Sequence, residues 1–367
     1  MQPSVTLLQL GVNVVTDWIP GVPNSLASGF STLLGEMLKA EKLDADDFWT
    51  AHQQMTGFEK QWKQVTSWIL GVAFARRVIE ELGYPWWAPV SAFSSKRRAT
   101  LTPSWTTLDL PPNKCVVEKD NSSKLYPDYA LARLNPSGSG YQISFAESKG
   151  CEKALERLTT PPPEWKKQSR NAKFKFDGVP QSVTQYLLIA TRICPDRKIT
   201  RKRRIQVRAW NSMVPEEQVK FAAFRDVVVT HYFGVCERIG LSANAQLLAL
   251  RNYSPVQAED QTQRQLLLLT EGLLGTTPQE ARREQVGDMT IYFGPRASTF
   301  RVGDTAIRIG LTEPAMKLVS SLQQPQQFMD ERMLHRFESE IAEAGRHFIA
   351  DDNVFVRNDG VIGISEG

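Results

Sequence analysis

The sequence predicts an α/β fold, and three segments carry the prediction. Tyr141, Ile143 and Phe145 alternate with small or polar residues, which is the period of a strand. Residues 65–83 place Trp68, Val72, Ala75, Ile79 and Leu82 at helical spacing and end on Gly83, a good C-terminal stop. Val183 to Ile193 is a strongly apolar run bounded by Pro180 and by Cys194-Pro195, the pattern of a buried strand. Arg204 to Trp210 reads as a further strand. The order helix, strands, helix, strands belongs to an α/β core.

The first strand carries the chemistry. Continuing its alternation puts Glu147 and Lys149 on the same face as Tyr141, Ile143 and Phe145. An acid and a lysine on an apolar face are costly unless something pairs them, and a metal ion with a phosphate would do so. Pro127-Asp128 lies 19 positions before Glu147-Ser148-Lys149. Two other acid-x-Lys triplets occur, Glu164-Trp165-Lys166 and Asp196-Arg197-Lys198. The first follows three prolines and the second sits in a polar turn, so neither closes a strand after a Pro-Asp pair. The bland alternative for Glu147 and Lys149 is an ion pair capping an edge strand.

This pattern resembles the PD-(D/E)xK, restriction-endonuclease-like nuclease superfamily. The resemblance implies a core with a central mixed sheet flanked by helices. It implies that Asp128 and Glu147 hold Mg²⁺ or Mn²⁺, and that Lys149 orients the attacking water and offsets charge on the scissile phosphate. The run Gly71, Phe74, Val78 ending in Leu82-Gly83-Tyr84 is similar to the first core helix of Mrr-like restriction nucleases. There the residue after the Phe is often a Glu that helps the metal site; here it is Ala75. Glu80 and Glu81 point away from the apolar stripe and read as solvated. The segment Glu164 to Asn171 resembles the helix after the Glu-x-Lys strand, which would make Gln168 a catalytic-site residue with Asn171 near it.

Charge is uneven. Thr160 to Trp210 holds thirteen Lys or Arg against three acids, a local +10, while the rest of the chain carries −6 within a total of +4. Such a block beside a phosphodiesterase motif is the footprint of a polyanion partner. Lys166, Lys167, Arg170 and Arg201, Lys202, Arg203, Arg204 are the expected nucleic-acid contacts. Lys96, Arg97 and Arg98 form a second basic patch, expected in a loop before the catalytic strands.

The 367 residues suffice for more than one domain. We expect a helical N-terminal extension over 1–60, the nuclease-like core over 61–215 and a mostly helical α+β accessory region over 216–367. In the last region Pro215 opens a helix to about Ile239, and Gln263 to Leu274 and Gln326 to Ala350 are further helices. Residues 288–310 suggest a hairpin, and Asn358-Asp359-Gly360 turns a strand pair. The four cysteines and four histidines show no zinc-ligand spacing. With no membrane-length apolar run and no signal peptide, the expected site is cytoplasmic.

Two functional classes follow. One is a metal-dependent nuclease acting on nucleic acid, DNA ahead of RNA, as an effector in host defence with a possible partner ATPase or helicase subunit. The other is an inactive nucleic-acid-binding or assembly subunit that keeps the fold.

Overall fold

A computed structural model describes residues 6–17, 24–43, 46–51, 60–93, 97–101, 106–110, 115–119, 125–135, 140–151, 155, 158–192, 205–213, 219–251, 281–294, 299–302, 304–323, 330–346 and 353–366. It is a mixed α/β protein with a mixed central sheet and several helices.

The chain opens with α1 (Leu7–Val15) and α2 (Asn24–Met37). Thr6 caps α1 reciprocally with Gln9, each side chain bonding the other residue's backbone N–H. A hairpin of β1 (Leu38–Leu43) and β2 (Asp46–Ala51) follows, so the N-terminal segment is not helical throughout. The predicted core helix is α3 (Lys60–Glu81). It stops because Gly83 takes φ +79°: the Gly83 N–H bonds Glu80 O and the Tyr84 N–H bonds Ile79 O, closing the last carbonyls. Val72, Ala75 and Ile79 of the predicted stripe are buried, whereas its end members Trp68 and Leu82 are exposed.

Next come β3 (Trp86–Pro89), β4 (Arg97–Leu101), β5 (Thr106–Leu110), β6 (Cys115–Glu118), β7 (Tyr129–Leu134) and β8 (Tyr141–Cys151). After α4 (Pro163–Ser169) come β9 (Lys173–Phe176), β10 (Val179–Gln181), β11 (Gln185–Arg192) and β12 (Gln206–Met213). The central sheet runs β12-β11-β8-β7-β3. Only β8 and β11 are parallel, with Glu147 opposite Leu188 and Lys149 opposite Ala190. A parallel pair needs a long crossover, and α4 with the β9–β10 hairpin supplies it. That hairpin turns on Asp177 and Gly178, both at positive φ, as a two-residue turn requires.

Helices cover both faces of the sheet. Ala75 and Ile79 of α3 pack with Leu131, Ala146, Leu187 and Ile189 on one face. Ile143 and Phe145 face the other way, into a core with Phe224, Val227 and Val228. The latter come from α5 (Phe221–Arg238), which begins at Phe221 after an extended Lys220, later than the expected start at Pro215. The expected helix at 263–274 lies outside the described residues.

Beyond α6 (Ser242–Arg251) lies an antiparallel sheet of β13 (Arg282–Val286), β14 (Met289–Phe293), β15 (Thr299–Val302), β16 (Thr305–Thr312), β17 (Val354–Val356) and β18 (Val361–Glu366). The α7 (Glu313–Leu322) and α8 (Glu331–Arg346) helices complete it. Among the described residues this region is α+β, with more residues in helices than in strands. Both predicted hairpins form, pairing Thr299 to Val302 with Thr305 to Arg308 and Val354 to Val356 with Ile362 to Ile364. Gly360 turns the second at φ +79°, and a Cβ there would stand 2.5 Å from Ala315 Cβ. The α1 helix sits against both halves. Its Val12 would lie 2.3 Å from a Cβ on Gly363, while Asn13 donates to Ala73 O of α3. Among the described residues no helix is long and apolar enough to cross a membrane.

Candidate functional site

The end of β8 and the residue before β7 meet because the two strands pair, with Ala146 opposite Tyr129. One step further along, the Ser148 N–H donates to Asp128 Oδ2 at 2.8 Å. Asp128 is fixed from the other side as well, since its carbonyl accepts from the Val90 N–H at 2.9 Å. Asp128 and Glu147, 19 residues apart in the chain, are thus neighbours in space.

Glu147 is 1 % exposed, and neither carboxylate oxygen has a well-formed hydrogen bond. The Lys149 ammonium touches Oε1 as an ion pair. Burial first, and the Asp128 carboxylate second, push the Glu147 pKa up to about 8, with Lys149 pulling the other way. Burial also raises the Asp128 carboxyl, against the Ser148 amide, Lys149 and Arg76. Two buried acids crowd together with one ammonium in contact with Glu147, so their negative charge is only partly compensated. That deficit fits a divalent cation with oxygen ligands.

The cation would find only part of its shell here. Among the described residues no group of three or more His, Cys, Asp or Glu is placed to hold a metal. Two carboxylates still suit Mg²⁺, which keeps several waters and takes substrate phosphate oxygens. On the neighbouring face of α3, Ala75 is fully buried in one cluster with Tyr129 and Ala146 and offers no ligand.

Gln168 stands beside Lys149. It is a buried residue of α4, its Oε1 accepts from Lys149 Nζ at 2.8 Å and its Nε2 donates to Tyr126 O at 2.9 Å. Asn171 Nδ2 donates to Leu125 O at 2.6 Å. These two amides hold the irregular segment leading into Asp128. Lys166, Lys167 and Arg170 are exposed on and just after the same helix. Arg97 and Arg98 belong to strand β4, paired with β5, rather than to a loop. Lys96 and the turn Arg201, Lys202, Arg203, Arg204 lie outside the described residues.

Close approach of α3 to the end of β8 depends on two glycines. A Cβ on Gly150 would stand 2.4 Å from Ser67 O, and one on Gly71 would stand 3.3 Å from Gly150 N.

Behind Asp128 lies a charged layer that sequence reading missed. Arg76 is fully buried, ion-pairs with Asp17 and stacks 3.8 Å from the Tyr129 ring centroid and 4.5 Å from that of Trp87. Burial lowers its pKa to about 9, yet its charge still favours the ionised form of Asp128. Arg357 stacks on the same Trp87 at 4.4 Å. Arg357 also pairs with Asp359, whose Oδ2 lies 2.7 Å from His231 Nε2. Glu80 joins this layer. It is 3 % exposed rather than solvated, 3.6 Å from Arg357 Nε, and burial pushes its pKa up to about 8. Glu81, by contrast, is exposed. The only sequence hint was a charged Asp17 inside an apolar stretch.

No protein-family profile, curated protein or solved structure matches the chain.

Proposed function

We infer that the chain is a metal-dependent nuclease built on a restriction-endonuclease-like core. One observation carries the reading: Asp128, Glu147, Lys149 and Gln168 converge at one end of the central sheet, with the Glu147 oxygens buried and short of donors. The sheet order, with its single parallel pair following the acid-x-lysine strand, supports it.

In this reading Asp128 and Glu147 hold Mg²⁺ or Mn²⁺, which when bound acidifies a water and neutralises charge on the phosphate. Lys149 presents a half-exposed ammonium beside Glu147 to the attacking oxygen and the phosphate. Gln168 fixes the direction of that ammonium and holds the approach to Asp128. The Ser148 N–H, Lys149 and Arg76 favour the carboxylate form of Asp128 against the burial that raises its pKa. Lys166, Lys167 and Arg170 meet the nucleic acid backbone, DNA ahead of RNA.

A second reading, an inactive nucleic-acid-binding or assembly subunit, is favoured by Ala75 at the helix position and by the lack, among the described residues, of a third carboxylate placed to hold a metal. One experiment separates the two. DNA incubated with the protein and Mg²⁺ or Mn²⁺ should be cut by the parent chain but not by Asp128→Ala. DNA left intact by the parent, alone and with an added ATPase or helicase partner, would favour the inactive subunit.

A further inference from the structure

The geometry points to Tyr126 as a stacking platform for an unpaired base next to the candidate site, and so to single-stranded nucleic acid as the substrate class. The inference rests on the nuclease reading and narrows it.

Position comes first. Tyr126 stands two residues before Asp128, within about 7 Å along a fully extended chain. Its carbonyl accepts from Gln168 Nε2 at 2.9 Å, and the other end of that amide accepts from Lys149 Nζ at 2.8 Å. One side chain therefore ties the Tyr126 backbone to the proposed catalytic lysine.

Rigidity comes second. Gln168 is 8 % exposed and Asn171 is fully buried, and between them they pin the carbonyls of Tyr126 and Leu125. The two side chains they display are not buried in return. Tyr126 is 36 % exposed and Leu125 57 % exposed. Single exposed apolar residues are ordinary. An exposed aromatic ring on a backbone held by two buried amides forms an apolar shelf, which loses less entropy when a flat ring lies on it than a ring on a free loop would.

Charge comes third. The Lys119 ammonium sits 4.8 Å from the Tyr126 ring centroid. Lys166, Lys167 and Arg170 are exposed on and just after the helix that carries Gln168. An aromatic ring with one ammonium against it, beside a helix that exposes further cations, matches a nucleotide, whose base offers a π face and whose phosphate offers negative charge. A base inside a duplex has both faces covered by its neighbours and cannot use the shelf. An unpaired base can.

The test uses the full chain in EDTA, so that binding is read without cutting. Fluorescence anisotropy is followed with a labelled pyrimidine oligonucleotide of about a dozen nucleotides, within the range of single-strand site sizes. A blunt duplex and an abasic version of the same strand serve as controls. Tyr126→Ala should weaken single-strand binding on the order of 5- to 150-fold, the worth of one stacked base, and Tyr126→Trp should retain it. Duplex binding should not change. The abasic strand should bind the parent and Tyr126→Ala equally, because the variant then loses a contact that is already gone. Equal binding of the normal single strand by parent and Tyr126→Ala overturns the inference. So does an equal loss on the duplex or on the abasic strand, which would mark Tyr126 as a general or protein-contact residue. If the parent binds no nucleic acid in any form, the nuclease reading falls as well, which separates the two failures.

Discussion

Lys149 Nζ donates to Gln168 Oε1 at 2.8 Å across 19 residues of chain, so the last turn of α4 sets the direction of the ammonium that also touches Glu147. A lysine has four rotatable bonds and would otherwise sample many directions. Gln168 in turn is held through Tyr126 O, which makes α4 a brace for both sides of the site.

Lys149→Ala should therefore lower cleavage on the order of 10²–10³-fold, the usual cost of losing one group that stabilises the transition state. Folding and most nucleic-acid binding should survive, since the side chain is partly exposed. Gln168→Ala should give a smaller loss in the same rate. Single-turnover cleavage alongside circular dichroism checks both, and a Lys149→Ala protein that cuts at the parental rate would remove the lysine from the mechanism.

Binding should fall steeply as salt rises, because each neutralised phosphate releases counterion. Replacing Lys166, Lys167 or Arg170 singly with Ala should weaken binding to all sequences alike. Each change should reduce the slope of log affinity against log salt by about one where that residue touches a phosphate. Titrations at several salt concentrations read the slope directly, and an unchanged slope in all three variants would place the polyanion elsewhere.

Acid should destabilise the fold through the His231–Asp359–Arg357 layer. Burial lowers the His231 pKa below its ordinary value, so the folded state resists the proton that the unfolded chain accepts near pH 6.5. Stability is lost as pH falls through that region. For Asp359, burial would raise the pKa, but Arg357 and His231 outweigh it and hold the carboxyl below the usual range. Its contribution is present above about pH 4 and is lost as pH falls further. Glu80 works in the opposite sense: with a folded pKa of about 8, it removes stability as pH rises from about 4 towards 8. Between pH 7 and pH 5 the loss at His231 opposes the gain at Glu80 and at Glu147, whose pKa is also raised to about 8. The test is therefore a comparison: acidification should cost His231→Gln less in melting midpoint, or favour it more, than it does the parent. An identical pH response in the variant would show that His231 carries none of the acid sensitivity.

Gly150→Ala should harm the site without removing any polar side chain. The new Cβ would collide with the Ser67 backbone, forcing α3 away from the end of β8. Overpacking of this kind costs about 1–3 kcal/mol. Chemical denaturation should show that loss, together with weaker Mn²⁺ binding, because β8 carries Glu147. Unchanged stability would mean that α3 can shift freely.

Arg76→Met should destabilise more strongly, since it leaves Asp17 buried without its cation. Removing one partner of a buried pair costs about 3–5 kcal/mol. Urea unfolding of Arg76→Met, Asp17→Asn and the double variant measures the coupling. A strictly additive double variant would show that the pair itself contributes nothing.

The sequence by itself determined whatever depends on near neighbours. Alternation through Phe145 aimed Glu147 and Lys149 together, and helical spacing with Gly83 fixed where α3 stops. The turn at Gly360 was legible because only glycine sits easily at its φ. Spacing also brought Asp128 to Glu147, because two paired strands with a short connection leave few other registers. Tertiary structure alone decided the charged layer. Glu80 lies off the apolar stripe of α3 and reads as solvated, yet Arg357, 277 positions away, makes its burial tolerable. Arg76 is buried because Asp17, Trp87 and Tyr129 come from three separate segments to receive it. Periodicity reports which face of an element is apolar. It carries no information about a distant partner, and for a charge the partner settles whether burial is affordable.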